Sequence, residues 1–438
     1  MLIEFRVGNY LSFKEQVCFS LVASKLKQLP ENVFLASSKL KLLKSSAIYG
    51  PNASGKTNLI KAMEFMRMYV LNSSKETQAG EPIPVRNFRL STETEHKPSS
   101  FEVTFIHENV RYRYGFEADT EKIHSEWLYS VPNKREIKLF SRESTNFEIT
   151  AHFKEANDLV KKKLVRENAL LISVAAQFNG LVSMKIINWF KDKLRFTSGL
   201  ADNTIFTMKY FEQNKEEMVD FLKMADLSID DVSVVESQDF PGVFDKFKPA
   251  PEWIEKLKEE ILKVKTFYKF KSFHKKFDQK GQVVSHETFD FNESESDGTK
   301  KLFFTLAGPI LDTLRNGRTL VIDELDSQLH PLIILELVKL FNTVKTNPTN
   351  AQLVFVTNNT GILDRKYLRR DQIWFCEKKE YGNTDLYSLI EYQVRHDASY
   401  GKDYLLGRYG GIPFLGDFGK LVRRGNGKRS DIPQEKKG

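Results

Sequence analysis

Residues Ser46 to Thr57 read SAIYGPNASGKT, and the last eight of them form the pattern G-x-x-x-x-G-K-T, Gly50 to Thr57. Three apolar residues, Ala47, Ile48 and Tyr49, lead in, and a helix-compatible run, NLIKAMEFMRMY (Asn58–Tyr69), leads out. Strand, glycine loop and helix in that order are the setting in which such a loop wraps phosphates. The glycines let backbone N–H groups turn inward around a β-phosphate, and the helix N-terminus adds roughly half a positive charge. Lys56 is spaced to reach the β- and γ-phosphates, and the Thr57 hydroxyl to hold Mg²⁺. Gly50, Asn52, Ser54, Gly55, Lys56, Thr57 and Asn58 are therefore the expected nucleotide-binding set, with ATP and Mg²⁺ as cofactors.

The second half of such a site lies far along the chain. RTLVIDELDSQLHP (Arg318–Pro331) has strand-type residues ending in Asp323-Glu324, a Walker B pattern. Asp323 is expected to hold Mg²⁺ through its water shell, and Glu324 to orient or deprotonate the attacking water. The plain alternative is a buried strand ending in acids at its solvent edge; the phosphate loop favours the catalytic reading. More than half the chain separates Lys56 from Asp323. Small P-loop kinases and GTPases close their site with less, and no N-K-x-D guanine-reading motif occurs. The pattern points to a P-loop class whose two lobes are divided by an insertion. Upstream of Asp323, Glu295-Ser296-Asp297-Gly298-Thr299 opens a helical run and resembles a degenerate L-S-G-G-Q signature of ABC ATPases. A Ser hydroxyl, a glycine N–H and a helix N-terminus would again face an anion. An ordinary N-cap by Ser296 is the competing reading. In ABC ATPases the signature meets the γ-phosphate held by the other subunit, and Asp326, two residues past Glu324, matches the D-loop that crosses that interface.

The chain of 438 residues, 41% of them hydrophobic, can bury one large core or two. No apolar run reaches membrane-spanning length and the N-terminus lacks a secretory core, so a cytoplasmic protein is expected, with no membrane partner. Cys18 and Cys376 have no metal-ligand spacing, which suits a reducing compartment, and the eight histidines are scattered. The formal charge of +8 is compatible with nucleic acid but weak evidence in a chain this long. Residues 1–150 are expected to form an N-terminal ATPase lobe. It opens with strands around an Asn9-Tyr10 bend and carries a β-meander between 100 and 141, where VRYRYGFEA alternates as a half-buried strand. Residues 151–290 read as a compact helical insertion, with helices up to about 225, another over Glu252–Tyr268, and a basic strand pair, FYKFKSFHKKF and VVSHETFDF. Residues 291–419 are expected to form the C-terminal ATPase lobe, with the signature-like stretch, Walker B, D-loop and switch. The basic tail 420–438 reads as a flexible end, with a nucleic-acid arm as the alternative.

FRVGNYLSFKE, YGPNASGKTNLIKAM, ESDGTKK, VIDELDSQLHP, LRRDQIWFCEKKEYGNTDLYSL and LGRYGGIPFL together resemble one family. It is the group of SMC/ABC-type ATPases without long arms, related to RecF and to the ATPase half of OLD nucleases. Within it the resemblance is closest to RloA/AbiL-like proteins of abortive-infection operons. The motifs lie at both ends of the chain; the helical middle matches only in general character. The resemblance implies an α/β fold: a two-lobed ABC/SMC-type P-loop ATPase head, a mixed sheet plus an antiparallel β-subdomain, with the insertion. It also implies a head-to-tail, ATP-dependent homodimer or higher homo-oligomer, in which Lys56 and Thr57 of one copy face Ser296 and Gly298 of the other, with Asp326 at the interface. Such ATPases act as sensors or scaffolds in phage defence, beside a separately encoded effector, often a TOPRIM or RloB-type nuclease; this chain shows no convincing nuclease motif.

Relatives carry a switch histidine in a T-H-[DN]-T context after the strand following Walker B; here AQLVFV leads into Thr357-Asn358-Asn359-Thr360. An Asn amide can bond a phosphate oxygen but cannot carry a proton near neutral pH, so slow turnover is expected. Asn358 as a mere turn former is held equally. No Q-loop glutamine is assigned: Gln78 and Gln177 are available, neither in a convincing context. RRDQIW (Arg369–Trp374) is expected to serve structural salt bridging rather than the nucleotide or a partner. The rival function is a RecF-like clamp that binds DNA or other nucleic acid directly. An ATPase subunit of a transporter fits less well, because the insertion is too long.

Overall fold

The computed structural model describes residues 1–76, 78–198, 204–225, 228–237, 267–395 and 398–413. Its centre is a six-stranded sheet in the order β11-β15-β16-β5-β17-β18. These strands are β5 (Ser45–Tyr49), β11 (Leu194–Ser198), β15 (Thr319–Asp323), β16 (Gln352–Val356), β17 (Ile373–Lys378) and β18 (Thr384–Ser388). The first five of that order run parallel, and β18 closes the edge antiparallel to β17. β5, β15 and β16 are buried at every residue, as strands covered on both faces must be.

The period of two splits these strands between two cores. Ile48, Val321, Val354 and Trp374 point into one, shared with helix α1 (Lys56–Asn72) and with an antiparallel sheet. Ala47, Tyr49, Ile322, Phe355 and Phe375 point into the other, shared with the helical run after Ser296 and with the helix Pro331–Asn342. α1 turns Leu59, Ile60, Met63, Met66 and Val70 inward at spacings of three and four.

The antiparallel sheet has seven strands, β10-β9-β8-β7-β6-β1-β2. They are β1 (Leu2–Gly8), β2 (Val17–Ser20), β6 (Ser99–His107), β7 (Val110–Ala118), β8 (Ile123–Val131), β9 (Ile137–Glu143) and β10 (Asn146–Ile149). The expected meander is present; β1 pairs with its first strand, β6, and the bend at Asn9-Tyr10, closed by a Tyr10–Phe13 bridge, turns β1 back into β2. A two-stranded ribbon, β3 (Val33–Ser37) with β4 (Leu40–Leu43), and a three-stranded sheet, β12 (Ile229–Ser237), β13 (Phe267–Phe277) and β14 (Val283–Asp290), complete the strands among the described residues.

The stretch 153–225 departs from an all-helical reading. Short helices, Asn157–Lys161, Leu171–Gln177 and Leu181–Asn188, lead into β11, which pairs in register with the Walker B strand, Ser198 opposite Asp323. The basic strand pair has a third member, β12, which pairs with β13. The expected helix Glu252–Tyr268 and the tail 420–438 fall mostly or wholly outside the described residues. Among the described residues no helix is long and apolar enough to cross a membrane.

Candidate nucleotide-binding site

Parallel strands bring their C-terminal ends to one edge, and in open α/β sheets ligands bind at that edge. Here β5 ends in the loop Gly50–Gly55, β15 in Asp323-Glu324, β16 in Thr357-Asn358 and β17 in Lys378. β16 stands between the loop strand and the Walker B strand. A cavity of about 1020 Å³ opens over this edge, lined by Asn52, Ser54, Gly55, Lys56, Thr57, Asn58, Glu324, Asp326 and Asn358 among others.

The loop is built for close backbone approach. Gly50 has φ +151° and a Cβ there would sit 2.3 Å from the Cys376 carbonyl oxygen. Gly55 has φ +106°, and its Cβ would collide with Thr384 Oγ1 at 2.2 Å and Ser12 Oγ at 2.8 Å. Those two hydroxyls brace the loop from behind. Thr384 Oγ1 donates to the Ser54 carbonyl at 2.8 Å, and Asn58 Nδ2 donates to Ser12 Oγ at 2.8 Å. Lys56 Nζ donates to the carbonyls of Gly50 (2.6 Å) and Pro51 (2.9 Å), so the ammonium is held at the loop itself. Burial pushes the Lys56 pKa down, against the pull of Asp323, Asp326 and Glu324.

The residues present fit a magnesium nucleotide on three observations. Asp323 is buried, and its Oδ1 has no hydrogen-bond partner among the described residues. Ser54 Oγ, inside the loop, is likewise buried and without a partner. Buried polar atoms are ordinarily paired, so such orphans at one site point to a bound polar group. Third, Glu324 holds a left-handed φ of +54°, a strained conformation for a residue with a side chain. Thr57 and Asp323 would hold the metal.

Asp326 Oδ2 accepts from the Asn358 amide at 2.9 Å, tying the loop after β15 to the loop after β16 within one chain. The Asn358 side chain is exposed at the cavity, while the Asx turn is made by its neighbour: Asn359 Oδ1 accepts from the Gly361 amide at 2.8 Å. Ser296 and Gly298 are not among the residues lining the cavity. Ser296 caps the helical turn Asp297–Lys300, its Oγ accepting from the Thr299 amide at 3.2 Å. Gly298 lies against the loop after β15, where a Cβ would meet the Gln328 carbonyl at 2.7 Å. Gln78 and Gln177 do not line the cavity either. Arg369 and Asp371 form a buried ion pair at 2.7 Å, and Arg369 also donates to the carbonyls of Ser24, Leu26 and Gln28. RRDQIW is thus structural.

Sequence reasoning missed the opposite wall. Val85 to Leu90 line the cavity, with the exposed cations Arg86 and Arg89 beside the phosphate loop, and Lys378 joins them. This wall is pinned by Asn9, whose Oδ1 accepts from the Phe88 amide at 3.1 Å, and by Leu11, whose amide donates to the Arg86 carbonyl at 2.9 Å. The segment has no periodicity to announce it; the only signal is its basic pair. A second cavity of about 1150 Å³ shares Asn52, Phe88, Leu90 and Lys378 with the first and carries the exposed Tyr381 on its rim.

No curated protein matches this sequence. The family model described as "AAA domain, putative AbiEii toxin, Type IV TA system" matches residues 45–181 and 214–364, which takes in the phosphate loop, Asp323-Glu324 and Asn358. With well over half of its length matched, the chain belongs to this family of AAA-domain P-loop ATPases.

Proposed function

We propose that this chain is a two-lobed ATPase head of ABC/SMC type. It binds ATP with Mg²⁺, hydrolyses it slowly, and closes head to tail on a second copy of itself. The observation that carries this reading is the convergence at one edge of the sheet of Lys56, Thr57 and Glu324, which line a cavity of about 1020 Å³, with the buried Asp323 at the end of β15.

Bound MgATP supplies a phosphoanhydride whose terminal phosphoryl group can pass to water. Lys56 neutralises phosphate charge from its place beside the Gly50 and Pro51 carbonyls. Glu324 takes the proton of the attacking water or fixes its direction. Asn358 can donate a hydrogen bond to a phosphate oxygen but cannot relay a proton, which keeps turnover slow. Ser296 and Gly298 lie off their own chain's cavity, which supports their serving the site of a second copy, with Asp326 near the shared face.

The family's description as a putative AbiEii toxin supports a place in bacterial abortive infection. There the ATP-closed dimer would act as sensor and scaffold for a separately encoded effector, a TOPRIM or RloB-type nuclease, as in RloA/AbiL-like systems. Native mass by light scattering on Glu324→Gln, with and without MgATP, tests the assembly. Mass doubling with ATP is expected; a monomer at saturating ATP overturns the head-to-tail reading. Salt-dependent, ATP-stimulated DNA binding by the isolated protein would replace the effector scaffold with a RecF-like clamp.

A further inference from the structure

Lys301 is the sixth residue of the signature-like stretch Ser296–Lys301 and begins the π-helical run Lys301–Ala307, all seven residues of which are buried. Its side chain is 3% exposed and does not reach a carboxylate; it reaches backbone. Nζ donates to the carbonyls of Glu324 (2.8 Å), Leu325 (3.1 Å) and Ser327 (2.7 Å), and to Ser327 Oγ at 2.6 Å.

We infer that Lys301 is a positioning residue, which fixes Glu324 by its backbone and links the Ser296–Gly298 turn to the loop that carries both Glu324 and Asp326. The inference rests on the reading of Glu324 as the group that directs the attacking water. A tight turn at residues 324–327 points three carbonyl oxygens toward one place. Buried carbonyls need donors, and an ammonium offers three. Glu324 sits at φ +54° and Gln328 at φ +61°, conformations that side chains resist and that the surroundings must hold. The same loop is held at a second point by Gly298, against the Gln328 carbonyl, and at a third by Asp326, bonded to the Asn358 amide. A shift at the Ser296–Gly298 turn therefore reaches Glu324 through Lys301, and Asn358 through Asp326, without passing through Lys56 or Thr57.

The test is Lys301→Met in the full chain, since Met keeps the stem and drops the ammonium. Two readouts are taken: steady-state ATPase with fluorescent-nucleotide affinity, and hydrogen–deuterium exchange of the amides at 325–330. Expected are a kcat lowered about tenfold, one charged hydrogen-bond set's worth of barrier, with nucleotide affinity within about twofold. Exchange at 325–330 rises while exchange in α1 stays as in the parent. A folded variant with unchanged kcat and unchanged loop exchange overturns the inference, as does an equal loss of affinity and kcat. If Lys301→Met does not fold, Ser327→Ala removes one of the four acceptors; kcat and loop exchange are then expected to move in the same directions by about threefold, and no movement overturns it. A parent protein with no turnover at all would sink the ATPase reading instead, and loop exchange would still decide whether Lys301 holds the loop.

Discussion

Lys301 keeps its proton only weakly, because burial pushes its pKa down to about 8 in spite of the nearby Asp326 and Glu324 carboxylates. In the unfolded chain a lysine titrates near 10.4. Between these values the unfolded chain holds a proton that the native chain has released, so this group makes unfolding free energy rise with pH across that window. Below about pH 8 both forms are protonated and the contribution is flat. The stability of Lys301→Met relative to the parent should therefore fall as pH rises from 8 to 10, on top of a pH-independent cost for the stranded carbonyls, read from urea melts at each pH. Parallel curves would contradict the shifted titration. Gly55 is the sharper steric case. Gly55→Ala places a methyl 2.2 Å from Thr384 Oγ1 at a φ of +106°. Strain of about 1–3 kcal/mol is expected in a melt, together with loss of nucleotide binding, since the loop must move off its Ser12–Thr384 brace. A variant that binds fluorescent nucleotide like the parent would show that the brace does not set the loop.

The elements show where pattern reading works and where it stops. β5 with its loop and α1, β15 with its acids, and the meander were legible because each is a contiguous run with one period or one fixed motif. β11 was not. LRFTS is five residues long, follows a π-helical stretch (Trp189–Lys193), and earns its place only by pairing with β15 across more than a hundred residues. The cavity wall at 85–90 was illegible for a related reason: beside loop bonds such as Thr94 Oγ1 to the Phe88 carbonyl, it is placed by Asn9 and Leu11, more than seventy residues away. A buried ionic knot in the meander was equally hidden. Glu126 on β8 accepts from the Leu171 (2.7 Å) and Ile172 (3.1 Å) amides at the start of the helix Leu171–Gln177, and from the Tyr114 hydroxyl at 3.0 Å. Arg142 on β9, 3.8 Å from Glu126, spends its other donors on the carbonyls of Ser144, Arg166, Glu167 and Ala169. Both are essentially inaccessible. Glu126→Ala strands the guanidinium charge and two helix amides, and should cost about 3–5 kcal/mol in urea unfolding. Glu126→Gln keeps an acceptor and should cost about 1–3 kcal/mol. Similar, small losses in both would mean that the knot packs rather than pairs.

Across the whole molecule the two halves of the chain are stitched at the phosphate loop, where Thr384 bonds the Ser54 carbonyl, and again at the far end of the sheet. Gln352 at the start of β16 accepts from the Leu2 amide at 2.7 Å and from Thr319 Oγ1 at 3.0 Å, and donates to the Leu2 carbonyl at 3.0 Å. The strands that end in the phosphate loop and in Asp323-Glu324 thus share one sheet, while Gly298 meets the Gln328 carbonyl in the loop after β15 and neither it nor Ser296 lines the cavity. If those residues complete the site of another copy, each active site takes its Lys56 from one chain and its Ser296 from the other. Two inactive proteins should then complement. Lys56→Ala removes phosphate binding, and Ser296→Arg places a bulky cation where the turn must meet the neighbour. In random pairs half the dimers are mixed, and each mixed dimer assembles one intact site from the unmutated halves of its two chains. Mixing equal amounts should restore up to about a quarter of the parental ATPase rate, the share allowed by two-fold pairing. Each variant alone should show none. Recovery of activity fixes Ser296 as a residue acting across the interface. Failure of the mixture, with Ser296→Arg active by itself, assigns Ser296 to capping its own helix and leaves the cavity complete within one chain.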